Sequence, residues 1–289
     1  MWNDFVEGTA MPNLRRFARA SLALAFALSF ASAGRAGAQT AARRDTLRVL
    51  FIGNSYTYFN NLGDIVAGIA ASRKDGPVVL PTLAVRGGAL LRWHLTAGPA
   101  MAALDGGHWD YVVLQEQSQL GGGMADGKPV LAKPDSFFAA SRDLAKRIRA
   151  HGAQPLFYMT WAKRDAPDQS VGLAAAYDEI GRELNSPVAP AGLAWATTRS
   201  RMEKLELYIA DGSHPTPTGS YLNGLVIYAT MTAHDPRGAA AVIEGHPYTM
   251  AGVADPNSVV KLVELDKPTA SALQEIAWST VKPRLKRSY

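Results

Sequence analysis

Strands and helices alternate along this chain, and the alternation predicts an α/β fold. Short apolar runs that are typical of buried strands recur at residues 47–52, 78–85, 111–114 and 155–159. Longer segments that read as helices separate them, and glycine or amide residues follow the first three runs. Such alternation is typical of a parallel sheet with helices on both faces. We therefore predict a three-layer α/β/α sandwich around a five-stranded, mostly parallel sheet.

The predicted elements follow the apolar runs and the turn residues between them. In chain order they are a strand at 47–52, a helix at 62–73, strands at 78–85 and 111–114, a helix at 136–150, a strand at 155–159, a helix at 171–184, a short strand at 187–191 and a helix at 216–232. Gly87 and Gly88 close the second strand, because glycine pairs favour turns. This order supplies five strands for the sheet.

The last part of the chain reads as a loop-rich segment followed by a helix over 269–281. Leu273, Ile276, Ala277 and Val281 have helical spacing and give that helix one apolar face. We expect this helix to pack on the flank of the sheet. Residues 233–289 are then a C-terminal extension of a single domain that spans 39–289.

A serine stands where the first predicted strand ends. Residues 53–57 read GNSYT, so Ser55 follows the apolar run directly. In α/β enzymes the carboxyl ends of the strands are where ligands bind. A serine hydroxyl is a weak nucleophile at neutral pH, and it needs an adjacent imidazole to take its proton. If Ser55 is a nucleophile, a histidine of the chain should lie beside it.

The late segment DGSHP at 211–215 supplies an imidazole together with an acid. His214 is predicted to be the base for Ser55, and Asp211 is close enough in sequence to accept a hydrogen bond from its other ring nitrogen. Either motif alone is more often an ordinary turn, because Gly, Asn and Ser tolerate tight geometry. Their joint occurrence in this order favours an enzyme.

These blocks resemble those of the SGNH hydrolases, also called GDSL esterases and lipases. The resemblance rests on four blocks: GNSYT at 53–57, GGAL at 87–90, VVLQEQS at 112–118 and DGSHP at 211–215. The residues in these blocks resemble those of a bacterial branch of the family. The resemblance implies a flavodoxin-like SGNH hydrolase fold with strand order 2-1-3-4-5. It also implies Ser55 as nucleophile, His214 as base and Asp211 as orienting acid. Asn54 stands where better-known relatives carry Asp, and we expect activity to survive that change.

The resemblance further implies an oxyanion hole, a set of N–H donors for the oxygen that becomes negative during acyl transfer. Its donors would be the backbone N–H groups of Ser55 and Gly88 and one amide side chain. Gly87 stays an alternative to Gly88, because the sequence does not rank two adjacent glycines. The third block offers Gln117, which we favour, or Gln115 where relatives carry Asn. A glutamine amide can donate the same hydrogen bond.

The N-terminus reads as a secretory signal peptide over 1–38. Arginines within 15–19 precede an apolar stretch at 22–30, and small residues follow up to Ala38. We expect cleavage near Ala38 and a secreted or periplasmic protein of bacterial type. A membrane-spanning helix is disfavoured, because the stretch is shorter than the roughly 20 residues needed to cross a bilayer. Met11 is an alternative translation start, and the export route stays open.

Charge and composition exclude several other functions. The formal net charge is +5, and removal of residues 1–38, with four arginines and two acidic residues, leaves +3. Outside the C-terminal tail no run of Lys and Arg marks a nucleic-acid face. The chain has no cysteine, which excludes disulfides, thiolate metal sites and a cysteine nucleophile. The remaining histidines lack metal-ligand spacing, so we expect neither a metal nor a cofactor.

The resemblance and the export signal thus imply a secreted serine esterase that hydrolyses short-chain esters, such as O-acetyl groups on carbohydrates. Its partner would be a small-molecule or glycan ester substrate. Hydrolysis of lipid esters or thioesters stays an alternative. Two other classes stay open. A noncatalytic carbohydrate-binding relative would fit the replaced third-block Asn, and a flavodoxin-like phosphate or flavin binder would fit the GNSYT turn. The second of these leaves Asp211 and His214 unexplained. Acyl length and oligomeric state are not predicted.

Overall fold

A computed structural model describes residues 44–285 of the chain. The predicted signal peptide at 1–38 lies outside the described residues. The elements in chain order are β1 (Thr46–Gly53), α1 (Ser55–Tyr58), α2 (Leu62–Ser72), β2 (Val78–Val85), α3 (Leu91–Thr96), α4 (Ala100–Asp105), β3 (Tyr111–Leu114), β4 (Met124–Ala125), β5 (Lys128–Pro129), α5 (Asp135–Ala150), β6 (Gln154–Tyr158), α6 (Gln169–Glu183), β7 (Val188–Ala189), α7 (Ala191–Arg201), α8 (Pro217–Thr232), β8 (Val242–Gly245), β9 (Val260–Glu264) and α9 (Lys267–Leu285). Over the described range, no helix combines the length and apolar character needed to cross a membrane.

Five strands form the main sheet, in the order β2-β1-β3-β6-β7. Every neighbouring pair is parallel, and β1 pairs with β2 along its whole length. When only these five strands are counted, the order is 2-1-3-4-5. The predicted α/β fold class and its strand order are therefore confirmed.

Two hydrophobic clusters lie on opposite faces of this sheet. Side chains alternate along a strand, so Val49 and Phe51 of β1 belong to one cluster, whereas Leu50 and Ile52 belong to the other. Helices α2, α7, α8 and α9 contribute to the first cluster, and α3, α4, α5 and α6 contribute to the second. The sheet is buried on both faces, which explains why β1 reads as a continuous apolar run.

The chain beyond residue 232 differs in detail from the prediction. Strands β8 and β9 form an antiparallel pair there, in a segment predicted to be rich in loops. Helix α9 is longer than the predicted 269–281, and it packs against α7 and α8. It therefore covers the helical layer, whereas the prediction placed it on the flank of the sheet. The apolar spacing of this helix did not specify which surface it covers.

The four sequence blocks that resemble those of the SGNH hydrolases lie at one edge of the sheet. The carboxyl ends of β1, β2 and β3 lead into the GNSYT turn, the glycine pair at 87–88 and the glutamine segment at 115–117. The loop between α7 and α8 carries the DGSHP block. A hydrogen bond between His214 and Ser55 brings that loop to the same edge.

Candidate active site

Ser55 occupies the first position of α1, directly after β1. Asn54 caps this short helix, because its side-chain oxygen accepts a hydrogen bond from the backbone N–H of Tyr56 at 3.1 Å. The Ser55 residue is 8% exposed. Its backbone N–H donates to no acceptor within residues 44–285. The turn thus presents a hydroxyl and a free N–H at the end of a buried strand.

A chain of hydrogen bonds joins Ser55, His214 and Asp211. The Nε2 atom of His214 lies 2.8 Å from Oγ of Ser55, and its Nδ1 atom lies 2.5 Å from Oδ2 of Asp211. A carboxylate only accepts, so Nδ1 carries the ring proton and Nε2 accepts from the serine hydroxyl. The structure brings these three predicted residues together in the arrangement that base-assisted attack by a serine requires.

Asp211 is held as a carboxylate. Partial burial raises its pKa, but hydrogen bonds from the His214 ring and from the backbone N–H groups of Ser213 and His214 outweigh that effect. The net result is a pKa below the usual value for an aspartate. The acid is therefore charged at neutral pH and keeps the imidazole in one tautomer.

The loop that carries Asp211 and His214 is tightly turned. Oδ1 of Asp211 accepts from the backbone N–H groups of Ser213 at 2.8 Å and His214 at 2.9 Å. Gly212 has a φ of +65°, which glycine adopts without strain. The backbone N–H of Arg164 donates to the Gly212 carbonyl at 2.8 Å, which ties the loop to the segment after β6.

Aromatic side chains pack around the imidazole. The ring of Phe59 stacks on His214 with a centroid distance of 4.3 Å, and Tyr56 meets the same imidazole edge-on. Tyr56 also stacks on Trp161 at 4.4 Å, and the indole Nε1 of Trp161 donates to the Ser213 carbonyl at 3.0 Å. The Tyr56 hydroxyl lies 2.6 Å from Oγ of Ser213. These contacts fix the position of the histidine loop above β1.

The backbone of Gly88 is unobstructed. Its φ is +67°, it lies at the surface, and a Cβ built on it would meet no atom within 4 Å. A Cβ on Gly87 would lie 3.1 Å from the hydroxyl of Tyr58. Neither glycine N–H donates to an acceptor in the part of the chain that the structure describes. Both glycines therefore remain candidates for the oxyanion hole.

The two glutamines of the third block differ in what they bind. Both amide hydrogens of Gln115 are engaged, one with Oδ1 of Asn54 and one with the carbonyl of Glu116. The carbonyl of the Gln117 side chain accepts from the N–H groups of Gln119 and Gly121, whereas its Nε2 makes one contact of 3.3 Å, with Ser118. Of the two, Gln117 is the side chain that retains an amide hydrogen.

A buried group of polar side chains, which the sequence did not reveal as a unit, supports the serine turn. Gln115 accepts from the Asn54 backbone N–H at 2.9 Å and from the Thr57 hydroxyl at 2.8 Å. The Asn54 side chain donates to the Ala89 carbonyl at 2.9 Å. Nε2 of His94 lies 2.9 Å from the Gly53 carbonyl. The sequence analysis did not assign Asn54 a structural role. Asparagine is a preferred residue at the start of a helix, and this preference is the signal that could have identified its capping role.

The remaining conspicuous residues are packed or paired. Trp161 and His94 are buried, and their ring nitrogens bind the carbonyls of Ser213 and Gly53. Burial lowers the pKa of His94, which keeps this imidazole neutral as a donor to Gly53. His151 and His246 pair with Asp105 and Asp64 at 3.1 and 3.3 Å. Within the described chain no cluster of three or more His, Cys, Asp or Glu side chains could hold a metal ion.

Neither a family sequence model nor a curated protein matches this chain. A solved structure from Slackia heliotrinireducens, described as a candidate SGNH hydrolase, is 31% identical over 65% of this chain and 100% of that chain, with a TM-score of 0.52. A DUF4886 family protein from Bacteroides uniformis is 14% identical over 84% of this chain and 97% of that chain, with a TM-score of 0.57.

The two similarities carry different weight. At 14% identity the second relative shares the fold alone. The first is 31% identical along its whole length, and it confirms the resemblance that the sequence blocks indicated. The chain therefore belongs to the SGNH hydrolase family of ester hydrolases.

Proposed function

We propose that this protein is an exported serine esterase that removes short acyl groups, such as O-acetyl groups, from carbohydrates. The observation that carries the proposal is the 2.8 Å separation between Nε2 of His214 and Oγ of Ser55. It supports a serine nucleophile with its base already in hydrogen-bond contact. It also accounts for the Asp211–His214 loop, which a phosphate-binding or flavin-binding turn would leave without a role.

In the first half of the reaction the acyl group moves to the enzyme. Oγ of Ser55 attacks the acyl carbon while Nε2 of His214 takes the hydroxyl proton. The bond from the acyl carbon to the alcohol oxygen then breaks, and the imidazolium gives its proton to the leaving alcohol. Asp211 stabilises the imidazolium in between, because its carboxylate stays charged.

In the second half water takes the place of the alcohol. His214 removes a proton from a water molecule, whose oxygen attacks the acyl carbon, and the proton then returns to Oγ of Ser55 as the ester bond breaks. The carboxylic acid leaves and the hydroxyl is restored. Each step uses only the three side chains, the substrate and water, so the cycle runs without a cofactor.

Three N–H donors are assigned to the oxyanion hole, namely the backbone N–H groups of Ser55 and Gly88 and the side-chain amide of Gln117. The first two have no acceptor in the described part of the chain, and the third retains an amide hydrogen. Donors without a ground-state partner are free to bind the oxygen as it becomes negative. Gly87 is the alternative to Gly88.

The exposure of the site supports the proposed substrate class. The side chains of His214 and Asp211 are 26% and 41% exposed. His214 hands its proton to the leaving alcohol, so an exposed imidazole leaves room for a bulky alcohol such as a glycan. On the other side, the Tyr58 hydroxyl lies against Gly87 and donates to the Met250 carbonyl at 2.9 Å, whereas Gly88 faces open space. We propose that the Tyr58 ring limits the acyl group to a short chain.

The test measures hydrolysis of p-nitrophenyl acetate, butyrate and octanoate, and release of acetate from an acetylated polysaccharide. Ser55→Ala is expected to lower turnover by about 10³-fold or more, because it removes the nucleophile. Ser271→Ala, on the exposed face of α9, is the matched control and is expected to keep full activity. A fluorophosphonate probe is expected to add to Ser55 of the active protein with loss of fluoride, as read by mass spectrometry.

The outcomes separate the competing functions. Rates that fall with acyl length and disappear in Ser55→Ala support a short-acyl esterase. Equal, negligible rates in both proteins, without a Ser55 adduct, would overturn the proposal. Binding of acetylated glycans would then identify a noncatalytic relative, and flavin absorbance would identify a cofactor binder.

A further inference from the structure

A buried carboxyl group lies beside the proposed active site without being part of the triad. Glu116 is the second residue after β3 and stands between the two glutamines of the third block. The residue is 1% exposed. A carboxyl group is seldom buried so completely unless neighbouring groups stabilise it. The groups that bind this buried carboxyl therefore indicate what it does.

The carboxylate of Glu116 joins two loops. The backbone N–H of Leu91 lies 3.2 Å from Oε1 and 3.3 Å from Oε2, and the backbone N–H of Gln117 lies 2.6 Å from Oε1. Leu91 is three residues beyond Gly88, so the first bond anchors the glycine segment. The second bond holds the start of the glutamine segment. One side chain thus connects the two segments that carry the second and third oxyanion donors.

The glycine segment has one further anchor to the serine turn. The Asn54 side chain binds the Ala89 carbonyl at 2.9 Å, and the Ala89 N–H binds the Arg86 carbonyl at 3.1 Å. Between these bonds Gly88 is exposed and contacts nothing along its Cβ direction. The position of its N–H therefore depends on the anchors at Ala89 and Leu91.

We propose that Glu116 is a positioning residue that aligns the backbone N–H of Gly88 and the side chain of Gln117 in the oxyanion hole. This role rests on the proposed esterase function. The charged form matters because the Leu91 N–H contacts both carboxylate oxygens, whereas Oε1 also accepts from the Gln117 N–H. A glutamine in its place would turn an NH₂ group toward the Leu91 N–H and loosen the glycine segment.

Protonation of Glu116 is expected to loosen the glycine segment, as the substitution by glutamine would. Burial raises its pKa to about 7, although the N–H groups of Gln117 and Leu91 and the positive charge of Arg92 act in the opposite sense. Arg92 from α3 and Tyr177 from α6 are the ionisable groups that face it, and the Tyr177 hydroxyl accepts from the Glu116 backbone N–H. Below pH 7 the protonated carboxyl places a donor against one of the N–H groups, and the alignment weakens.

The test compares wild type with Glu116→Gln by kcat/KM for p-nitrophenyl acetate across pH 6 to 8. At pH 8 the variant is expected to be about tenfold slower, a fraction of the loss caused by removing an oxyanion donor outright. The ratio of the two rates should shrink toward one at pH 6, where Glu116 of the wild type is protonated. A structural role alone would give a ratio that does not change with pH.

Asp110→Asn is the matched control. Asp110 lies at the opposite end of β3 and also accepts a backbone N–H, that of Arg48 at 2.7 Å, with its carboxylate. This control is expected to keep wild-type kcat/KM at every pH. If Glu116→Gln does not fold, Glu116→Asp replaces it. The shorter side chain cannot reach both N–H groups, and the rate is expected to fall severalfold.

Three results would overturn the role of Glu116. They are an unchanged rate in the folded variant, a pH-independent ratio, and a rate loss that equals the loss of folded protein measured by thermal unfolding. A wild-type protein that neither hydrolyses esters nor reacts with fluorophosphonate at Ser55 would instead overturn the proposed function itself, and the role of Glu116 with it. The two failures are therefore distinguishable.

Discussion

The two sides of the Ser55–His214 hydrogen bond are held in place by different forces. On the serine side, Asn54 and Gln115 are at most 2% exposed and bind each other and the backbone through hydrogen bonds. On the histidine side, Asp211 and His214 reach solvent, and the rings of Phe59 and other aromatic residues pack against the imidazole. One side is a buried polar network, and the other is a surface loop supported by aromatic packing.

This difference predicts how substitutions affect the protein. Removal of a member of the buried network leaves other buried polar groups without partners, which lowers the free energy of unfolding as well as activity. Removal of an exposed member of the histidine loop leaves few buried groups unpaired, so activity is lost while the fold is retained. Stability and activity are thus coupled on the serine side and separable on the histidine side.

The largest effect is expected for the exposed base. His214→Ala should lower kcat for p-nitrophenyl acetate by about 10³-fold or more, because Ser55 then has no group to take its proton. Its free energy of unfolding should fall by only about 1 kcal/mol, because the partly exposed imidazole loses its stacking on Phe59 but leaves few buried groups unpaired. Asp211→Asn should lower kcat less, since an asparagine oxygen can still accept from Nδ1 of the imidazole.

His246→Ala is the control for this pair, because His246 is exposed and pairs with Asp64 through a similar 3.3 Å contact. It should leave kcat unchanged. A larger loss for Asp211→Asn than for His214→Ala would show that Asp211 acts mainly by shaping the loop. A drop of several kcal/mol in the stability of His214→Ala would contradict the separation of stability and activity on this side.

The second prediction addresses the buried network. Asn54→Ala removes the partner of the Ala89 carbonyl, the Gln115 amide and the Tyr56 N–H at once. With several buried groups unpaired, the free energy of unfolding should fall by about 3 to 4 kcal/mol, and kcat should fall as well. Urea unfolding and ester hydrolysis measure the two effects.

Asn257→Ala serves as the control for Asn54→Ala, since Asn257 is exposed. Its free energy of unfolding should stay within about 0.5 kcal/mol of wild type. An Asn54→Ala protein with full stability and low activity would show that the network is not a stabilising unit, and the contrast between the two sides would disappear.

The parts of the fold that the sequence predicted are those with strong local signals. The inner strands β1, β3 and β6 contain apolar runs because most of their residues are buried on both faces, whereas the edge strand β2 is only partly buried. Ser55 and the Asp211–His214 block could be placed because a strand end and a tight loop are both marked by residue type. Strands β8 and β9 gave weaker signals, since each is short and half exposed and a long loop separates them.

The different hydrogen bonds of the two glutamines could not be predicted from the sequence. Gln115 and Gln117 are two residues apart just after a strand, and only the three-dimensional positions of Asn54 and Thr57 show that Gln115 is fully engaged. The same holds for the contact of Glu116 with Leu91, the first residue of α3, which lies 25 residues earlier in the chain. Long-range hydrogen bonds leave no periodic pattern in a sequence.

The smallest effect is expected at the boundary between the two sides, where two stacked tryptophans allow a matched comparison. The rings of Trp161 and Trp195 stack with a centroid distance of 4.0 Å. The indole N–H of Trp161 donates to the Ser213 carbonyl of the histidine loop. The indole N–H of Trp195 donates to Oδ1 of Asn223. Either change to phenylalanine removes similar volume and one buried hydrogen bond, and should lower stability by about 1 to 3 kcal/mol. Only Trp161→Phe should lower kcat, by about threefold to tenfold, because about 1 kcal/mol of hydrogen bonding then no longer holds the loop. Equal kcat losses in the two variants would mean that the stack supports the histidine loop through packing alone.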